Sequence, residues 1–204
     1  ITREQRNIDF LKDTVRSVVK AVAYTKRKVS LRYPQIAGAI CDEPFFITTQ
    51  ELLDMYPDKS ARERERLITK EHQTVFLMQI GGKLSNGEKH DGRAPDYDDW
   101  QLNGDILVWD EVLDNALEIS SMGIRVDENS LKTQLAECGA EDRLKYDYHR
   151  MIADGTLPLT VGGGIGQSRL CMLMLKKAHI GEVQSSIWRA ETVEECAKHG
   201  ITLL

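Results

Sequence analysis

Residues 93–127 read RAPDYDDWQLNGDILVWDEVLDNALEISSMGIRVD. Three segments within this stretch are rich in residues that favour strands, and they predict extended structure over 93–100, 105–109 and 116–126. The segments follow one another too closely for the crossover helices that parallel pairing requires. The stretch therefore predicts antiparallel strands and an α+β fold, rather than a doubly wound parallel sheet.

The residues upstream of this stretch predict one buried strand and several helices. The segment TVFLMQI, 74–80, is apolar on both faces, which is typical of a central strand. From Ile8 onward, apolar residues recur at spacings of three and four, which predicts an amphipathic helix. A short strand is predicted over 44–49, and capping-box spacings predict that two further helices begin at Thr48 and Ser60.

The residues downstream continue the alternation of helices and strands. Asp127 is a predicted N-cap of a helix that Gly139 closes. The further predicted elements are a helix over 141–153, a strand over 158–163, a helix over 167–177, a strand over 179–188 and a helix over 192–198. The chain is therefore predicted to form a sheet with helices packed on it.

Length and charge limit the function classes. The chain has 204 residues, which corresponds to about one domain. No apolar run approaches the roughly 20 residues of a membrane-spanning helix. Lys and Arg number 27 and Asp and Glu number 32, for a net charge of −5. This acidic balance argues against broad nonspecific nucleic-acid binding.

The four cysteines and five histidines are scattered along the chain. They form no C-x-x-C, H-E-x-x-H or H-x-H pair, so the spacing typical of a zinc site is missing. Cys171 lies in an apolar run and is predicted to be a core residue. Because a chain of this length does not depend on disulfides, free thiols and a reducing cytoplasm are favoured.

A glycine-rich turn is the first candidate functional motif. Gly162–Gly166 is similar to a dinucleotide-binding fingerprint, but Gln167 stands where the last glycine belongs. The remaining pattern is G-x-G-x-x-R, formed by Gly164, Gly166 and Arg169. Glycines at a strand-to-helix junction allow a flat ligand to lie against the backbone. The arginine then stacks on a base or holds a phosphate, or it is an ordinary surface arginine after a plain turn.

Acidic residues form the second and third candidates. Three carboxylates fall within residues 96–99, which is typical either of a solvated turn or of a site for a cation or an amino group. Arg93, just before them, has the guanidinium geometry that binds a phosphate. Glu118 and Ser120 are predicted to point to the same side of a strand. If Asp105 lies on the neighbouring strand, Asp105 and Glu118 face one cavity. Two carboxylates placed in this way suit a Mg²⁺ ion that also binds nucleotide phosphates. The alternative is that they are ordinary acids on the surface of the sheet.

Four blocks of sequence closely resemble the aspartate–ammonia ligases, the ammonia-dependent asparagine synthetases. They are IGGKLSNGEKHDGRAPDYDDW (80–100), LNGDILVW (102–109), LEISSMGIRVD (117–127) and GGGIGQSRL (162–170). The similarity stays in register through nearly the whole chain. It implies a fold like that of the class II aminoacyl-tRNA synthetases, an antiparallel sheet flanked by helices, and it implies a homodimer.

The resemblance also implies roles for the residues that contact the nucleotide. Arg93 matches the arginine that holds the α-phosphate, and Arg169 matches the arginine that clasps ATP. Asp105 and Glu118 match the carboxylates that bind magnesium and ATP. The residues implied to contact ATP or AMP are Arg93, Tyr97, Asp105, Glu118, Ser120, Gly164, Gly166 and Arg169.

A second set of residues is implied to contact the amino-acid substrate. Ser121 matches a position in the amino-acid pocket, and Arg125 matches an arginine that faces a substrate carboxylate. Asp98 matches an acid beside the substrate and the incoming ammonia. The implied catalytic residues are Asp98, Arg93 and Arg169.

The implied reaction has two steps. ATP and Mg²⁺ are used to adenylate the side chain of L-aspartate with release of pyrophosphate, and ammonia then attacks the β-aspartyl adenylate to give L-asparagine and AMP. The expected partners are therefore L-aspartate, ammonia and ATP, together with a second copy of the chain. Neither nucleic acid nor a membrane is expected as a partner, and a cytoplasmic location is expected.

The sequence departs from the family in two places. A long N-terminal part of the family precedes the position that matches Ile1, and about nine family residues are absent between Trp100 and Leu102, in a flexible loop. Residues 1–204 are thus predicted to be the C-terminal two thirds of a class II synthetase-like catalytic domain. Two alternatives remain: an aminoacyl-tRNA synthetase core, and a paralogue that binds nucleotide without catalysis.

Overall fold

The computed structural model describes residues 1–204, and its centre is one five-stranded sheet. The strands lie side by side in chain order: β1 (Phe45–Thr48), β2 (Thr74–Met78), β3 (Asp98–Asp110), β4 (Asn115–Arg125) and β5 (Val161–Ile165). The pairs β2–β3, β3–β4 and β4–β5 are antiparallel, whereas β1 pairs with β2 in parallel. The predicted α+β class is confirmed, and the sheet is antiparallel except at its β1 edge.

Seven helices accompany the sheet. They are α1 (Ile8–Arg32), α2 (Thr49–Met55), α3 (Ala61–His72), α4 (Glu128–Glu137), α5 (Asp147–Ala153), α6 (Gln167–Leu175) and α7 (Ala190–Lys198). The helices α2 and α3 form the connection that β1 and β2 need in order to run parallel. None of the seven helices combines the length and the apolar character required to span a bilayer.

Both faces of the sheet are buried under helices. The apolar side of α1 packs on one face, in a core that includes Leu11, Val15, Val19, Val22, Phe76, Ile106, Ile119, Met122 and Ile124. On the other face α2 and α3 contribute to a second core of Ile47, Leu52, Ile68, Val75, Leu77, Ile80 and Leu107. Neighbouring residues of β2 point to opposite faces, and all five are buried, as the apolar run that follows Thr74 predicts.

The predicted helix starts are confirmed by their hydrogen bonds. Thr48 and Ser60 each accept an N–H from the glutamate three residues later, and that glutamate side chain accepts the cap N–H in return. The Asp127 side chain accepts the N–H groups of Asn129 and Ser130 at the start of α4. Such capping contributes about 1 kcal/mol per helix.

Two predictions in the middle of the chain are wrong in detail. The segments 93–100 and 105–109 do not form two strands: residues 98–110 form a single strand, and residues 93–97 lie outside it. Pro95 has no N–H to contribute to a ladder, which favours this irregular lead-in. The helix predicted over 141–153 is divided, because Tyr146 is extended between a short 3₁₀ turn and α5.

Three predictions near the C-terminal end also need correction. The strand predicted over 158–163 is β5, which begins only at Val161. Residues 179–188 form no strand, because the Glu182 carboxylate accepts the N–H groups of Ala178 and His179 and closes a 3₁₀ turn. Cys171 is exposed on the outer side of α6, so its predicted place in the core is wrong.

Candidate active site

A cavity of about 580 Å³ lies where β4, β5 and the start of α6 meet. The predicted site residues that line it are Tyr97, Glu118, Ser120, Ser121, Gly164, Gly166 and Arg169. Four other predicted residues, Arg93, Asp98, Asp105 and Arg125, do not line the cavity. They lie in two ion pairs that adjoin its lining residues. The structure thus collects into one region residues that are up to 76 positions apart in the sequence (169 − 93).

The sequence interpretation missed a second wall of the cavity. Ser168, Ile180 and Gln184 also line it, and the Ser168 hydroxyl donates a hydrogen bond to the Gln184 side chain at 2.6 Å. Ser168 directly follows the glycine-rich turn, so its position offered a signal. Ile180 and Gln184 gave none, because their segment reads as a strand.

Two glycines of β5 have no room for a side chain, whereas a third faces open space. A Cβ on Gly163 would collide with Met122 and the Ser121 carbonyl, and a Cβ on Gly162 would lie 2.8 Å from the Arg125 guanidinium. A Cβ on Gly164 would meet nothing within 4 Å. β5 therefore lies close against β4, while the Gly164 backbone faces the empty space of the cavity.

A β-bulge changes which side chains of β4 face the site. Ile106 of β3 pairs with Ser120, but the next residue, Leu107, pairs with Glu118. Ile119 is therefore an extra residue on β4, and its side chain belongs to the α1 core. The prediction that Glu118 and Ser120 share a side is wrong, because the extra residue reverses the alternation between them.

The bulge places the acidic residues together. Asp105 pairs with Ser121, and Glu118 lies on the same face as both, two ladder positions along β3. Ser120 belongs to the opposite face, although it borders the cavity. Asp105 and Glu118 therefore lie near each other on neighbouring strands, as predicted, but only Glu118 lines the cavity that both were predicted to face.

Asp105 is buried and held by an arginine. The Arg93 guanidinium donates to both Asp105 carboxylate oxygens. Burial raises the pKa of Asp105 to about 6; Arg93 and the Ser121 hydroxyl oppose this rise, while the nearby Glu118 carboxylate adds to it. The Asp105 carboxylate is therefore costly to ionise, and the Arg93 guanidinium is bonded to it.

The raised pKa of Asp105 predicts a pH-dependent stability in the protein without metal or nucleotide. Below pH 3.8 Asp105 is protonated in both the folded and the unfolded chain, and above about 6 it is ionised in both. Between these values the folded chain binds more protons, so this group costs increasing stability as pH rises, by about 3 kcal/mol in total. As pH rises from 4 to 7, the free energy of unfolding of Asp105→Asn is expected to increase relative to that of the parent, on top of a constant cost from the lost bonds to Arg93, as measured by urea unfolding. A constant difference across that range would contradict the assignment.

A second ion pair joins Asp98 to Arg125. Arg125 also donates to the Tyr97 hydroxyl at 3.0 Å, and its guanidinium lies 3.9 Å from the centre of the Tyr97 ring. Burial raises the pKa of Asp98, and Arg125 opposes the rise. Tyr97 is half exposed at the cavity wall, so Asp98 and Arg125 lie directly behind it.

A third arginine closes the opposite wall. Arg169 donates to the Glu118 carbonyl at 3.1 Å and lies 3.3 Å from the Glu118 carboxylate. Its side chain stays about half exposed. The cavity thus presents an open glycine backbone, an accessible arginine and a carboxylate, which are suited to a nucleotide.

The carboxylates provide only part of a metal site. The chain contains no cluster of three or more His, Cys, Asp or Glu side chains placed to hold a metal ion. Asp105 and Glu118 are two carboxylates on one face of the sheet, a number that suits Mg²⁺ only when phosphates and water complete its shell. They do not suit a dedicated protein cage.

The sequence of the chain is similar to a known family of enzymes. The family model described as aspartate-ammonia ligase matches residues 1–200. The chain belongs to this family. It is 57% identical over 204 residues to the aspartate–ammonia ligase of Clostridium tetani and 55% identical over 204 residues to that of Levilactobacillus brevis. These alignments cover all of this chain but 60% and 61% of the relatives, so the chain spans about three fifths of their length.

Solved structures confirm the fold. An Entamoeba histolytica asparaginyl-tRNA synthetase in complex with asparaginyl-adenylate matches with a TM-score of 0.58 and 16% identity, covering 90% of this chain and 46% of that one. The corresponding Pyrococcus horikoshii complex has a TM-score of 0.54 and 21% identity, over 84% and 43%. The predicted class II synthetase-like fold is therefore confirmed. The predicted domain extent and the shortened loop beside Trp100 stay predictions.

Proposed function

We propose that the chain carries the catalytic part of an ATP-dependent ligase that converts L-aspartate and ammonia to L-asparagine, AMP and pyrophosphate. The observation that carries this proposal is the cavity in which Gly164, Glu118 and Arg169 converge beside the Arg93–Asp105 and Asp98–Arg125 pairs. Family membership supports the reaction, which passes through a β-aspartyl adenylate.

The nucleotide is assigned to the cavity between Tyr97 and Arg169. The open Gly164 backbone and the turn at Gly166 leave room for a flat base, and Arg169 stacks on it or contacts its phosphates. Arg93 is assigned to the α-phosphate, since its planar guanidinium donates to phosphate oxygens as it donates to Asp105.

Magnesium is assigned to Asp105 and Glu118. The bound ion would neutralise charge on the ATP phosphates during adenylation. The protein's own contribution is to hold the two carboxylates on one face of the sheet, with Arg93 and Arg169 as fixed counter-charges. Ser120 lies at the edge of the same cavity and is assigned to the nucleotide.

L-Aspartate and ammonia are assigned to the region behind Tyr97. Arg125 faces a substrate carboxylate, and Ser121 borders the same space. Asp98 accepts a proton from ammonium and so supplies the neutral ammonia that attacks the adenylate. Its raised pKa suits this role, because a carboxylate that is costly to ionise is a better base than an exposed one.

The test is a product assay on the purified chain with L-aspartate, ATP, Mg²⁺ and ammonium, without tRNA. We expect asparagine, AMP and pyrophosphate in equal amounts. Arg169→Ala is expected to abolish most of the product, whereas the matched control Arg62→Ala, at an exposed arginine of α3, leaves it unchanged. Nucleotide binding without product would favour the non-catalytic paralogue. Transfer of an amino acid to tRNA in a parallel assay with tRNA added, without free asparagine, would favour the synthetase core.

The oligomeric state and the cellular location of the protein are also part of the proposal. A cytoplasmic homodimer that uses no nucleic acid is expected from the family resemblance and the acidic charge. Sedimentation of the purified chain over a range of concentrations tests the dimer.

Two neighbouring glycines are expected to respond differently to the same substitution. Gly163→Ala forces a methyl group against β4 and should cost about 1–3 kcal/mol of unfolding free energy. Gly164→Ala should cost less than about 1 kcal/mol, because its methyl group meets only open space, but it should weaken ATP binding. Urea unfolding and calorimetric ATP titration of both variants separate the effects. Equal destabilisation, or unchanged ATP affinity in Gly164→Ala, would contradict the assignment.

A further inference from the structure

Residues 95–100, here called the acidic arm, place Tyr97 at the cavity wall and Asp98 in the ion pair with Arg125. The sheet itself holds this arm poorly. Asp98 pairs with Arg125 and Asn103 pairs with Gly123, so four residues of β3 lie opposite one residue of β4 between these pairs. The regular ladder is therefore interrupted where the arm joins the strand. Something other than strand pairing must fix Tyr97 and Asp98.

One buried side chain of α4 holds the backbone of the arm at three points, in addition to the ion pair between Arg6 and Asp99. The Gln134 amide nitrogen donates to the Pro95 carbonyl at 2.9 Å and to the Asp98 carbonyl at 3.0 Å. The Gln134 side-chain oxygen accepts the Trp100 N–H at 2.8 Å. Gln134 is only 4% exposed, so these three bonds replace contacts that water would otherwise make.

A second contact ties the arm to the neighbouring helix. One Asp96 carboxylate oxygen accepts hydrogen bonds from His149 of α5, at 2.9 Å, and from Arg143, at 2.8 Å. His149 is buried. A further backbone bond holds the arm, since the Tyr97 carbonyl accepts the Val126 N–H at 3.0 Å. The arm is thus held at several points from the side of α4 and α5. Among these contacts, the bonds of Gln134 cover the longest part of the arm, from Pro95 to Trp100.

We infer that Gln134 is a positioning residue, which fixes Tyr97 at the cavity wall and Asp98 beside Arg125 through the backbone of the acidic arm. The consequence for catalysis rests on the proposed function. Gln134 does not line the cavity, and it contacts Asp98 through the backbone carbonyl, not through the carboxylate that pairs with Arg125. Without it three buried backbone groups lose their partners, and the arm must move to find others. Displacement of a reacting group by about 1 Å is enough to lower a rate about 100-fold.

The test compares Gln134→Met, which keeps the length of the side chain but removes all three hydrogen bonds, with Thr133→Val on the exposed side of the same helix. Thr133 bonds only to the Asn129 carbonyl, one turn earlier. Gln134→Glu, which keeps an acceptor for the Trp100 N–H but removes the amide group that donates to Pro95 and Asp98, is the substitute if Gln134→Met does not fold. Amide hydrogen exchange and asparagine synthesis are both measured on the 204-residue chain.

In Gln134→Met we expect the Trp100 amide to exchange at least about tenfold faster, with α1 and β2 unchanged. We expect kcat to fall at least about tenfold and the KM for ATP to rise by a smaller factor, because Tyr97 moves while Gly164, Glu118 and Arg169 lie on other elements. Thr133→Val should match the parent. Unchanged exchange at Trp100, a uniform rise along the whole chain, or faster exchange with an unchanged kcat would overturn the inference. If the parent makes no asparagine, the proposed function fails, and the exchange pattern alone still decides whether Gln134 positions the arm.

Discussion

Asp98→Asn is expected to slow asparagine formation by about 100-fold or more while the fold is retained. The substitution removes the proposed proton acceptor for ammonium but keeps an oxygen that accepts from Arg125. Arg125 also keeps its hydrogen bond to the Tyr97 hydroxyl. The loss should therefore appear in the rate and much less in the melting temperature.

The pH profile distinguishes a base from a residue that only shapes the site. Burial raises the pKa of Asp98 above its ordinary value of 3.8, so the parent should lose activity as pH falls through that raised pKa. Asp98→Asn should lose this acidic limb. Asp154→Asn, at an exposed position, is the matched control and should follow the parent. A variant that makes asparagine at the parent rate from the same ammonium supply would exclude Asp98 as the acceptor.

The parts of the fold that follow from the sequence are those with local causes. Thr48 and Ser60 cap their helices through glutamates three residues away, so the whole interaction lies in one short segment. β2 is predictable for a similar reason, since a short strand buried on both faces needs apolar residues at every position. The turn at Gly164 and the arginine at 169 also belong to one short segment, which is why spacing alone pointed to the cavity.

The parts that spacing could not give depend on residues far apart in the sequence. The bulge at Ile119 exists only because β3 pairs with β4 in a shifted register, and it decides that Glu118 faces Asp105. The arm at Asp98 bends as it does because Gln134, 36 residues later, holds its backbone. Roles for the individual residues came from the family resemblance, because composition and periodicity contain no information about the substrate.

Arg93→Ala is expected to have the largest combined effect on stability and activity. Arg93 donates to both oxygens of Asp105, and the Asp105 side chain is 8% exposed. Removing one member of a buried ion pair leaves the other without compensation, at a cost of about 3–5 kcal/mol. Because Arg93 is also assigned to the α-phosphate, asparagine formation should fall to background even where the variant is folded. Arg93→Lys should keep the charge but lose the bidentate geometry, and Arg62→Ala should change neither property.

The pH dependence of that destabilisation identifies its cause. Arg93 lowers the pKa of Asp105 from what burial alone would impose, so in Arg93→Ala the pKa of Asp105 rises above its value of about 6 in the parent. The folded variant then keeps its proton to a higher pH than the parent does, and its stability should increase as pH is lowered from 8 towards 5 more steeply than that of the parent. Urea unfolding at pH 5 and pH 8 measures the difference. Asp105→Asn in the same chain should remove most of the cost of Arg93→Ala, because no carboxylate is left to lack its partner. If the two substitutions add independently, the Arg93–Asp105 pair does not determine the stability of this face of the sheet, and Arg93 acts there only through its own packing.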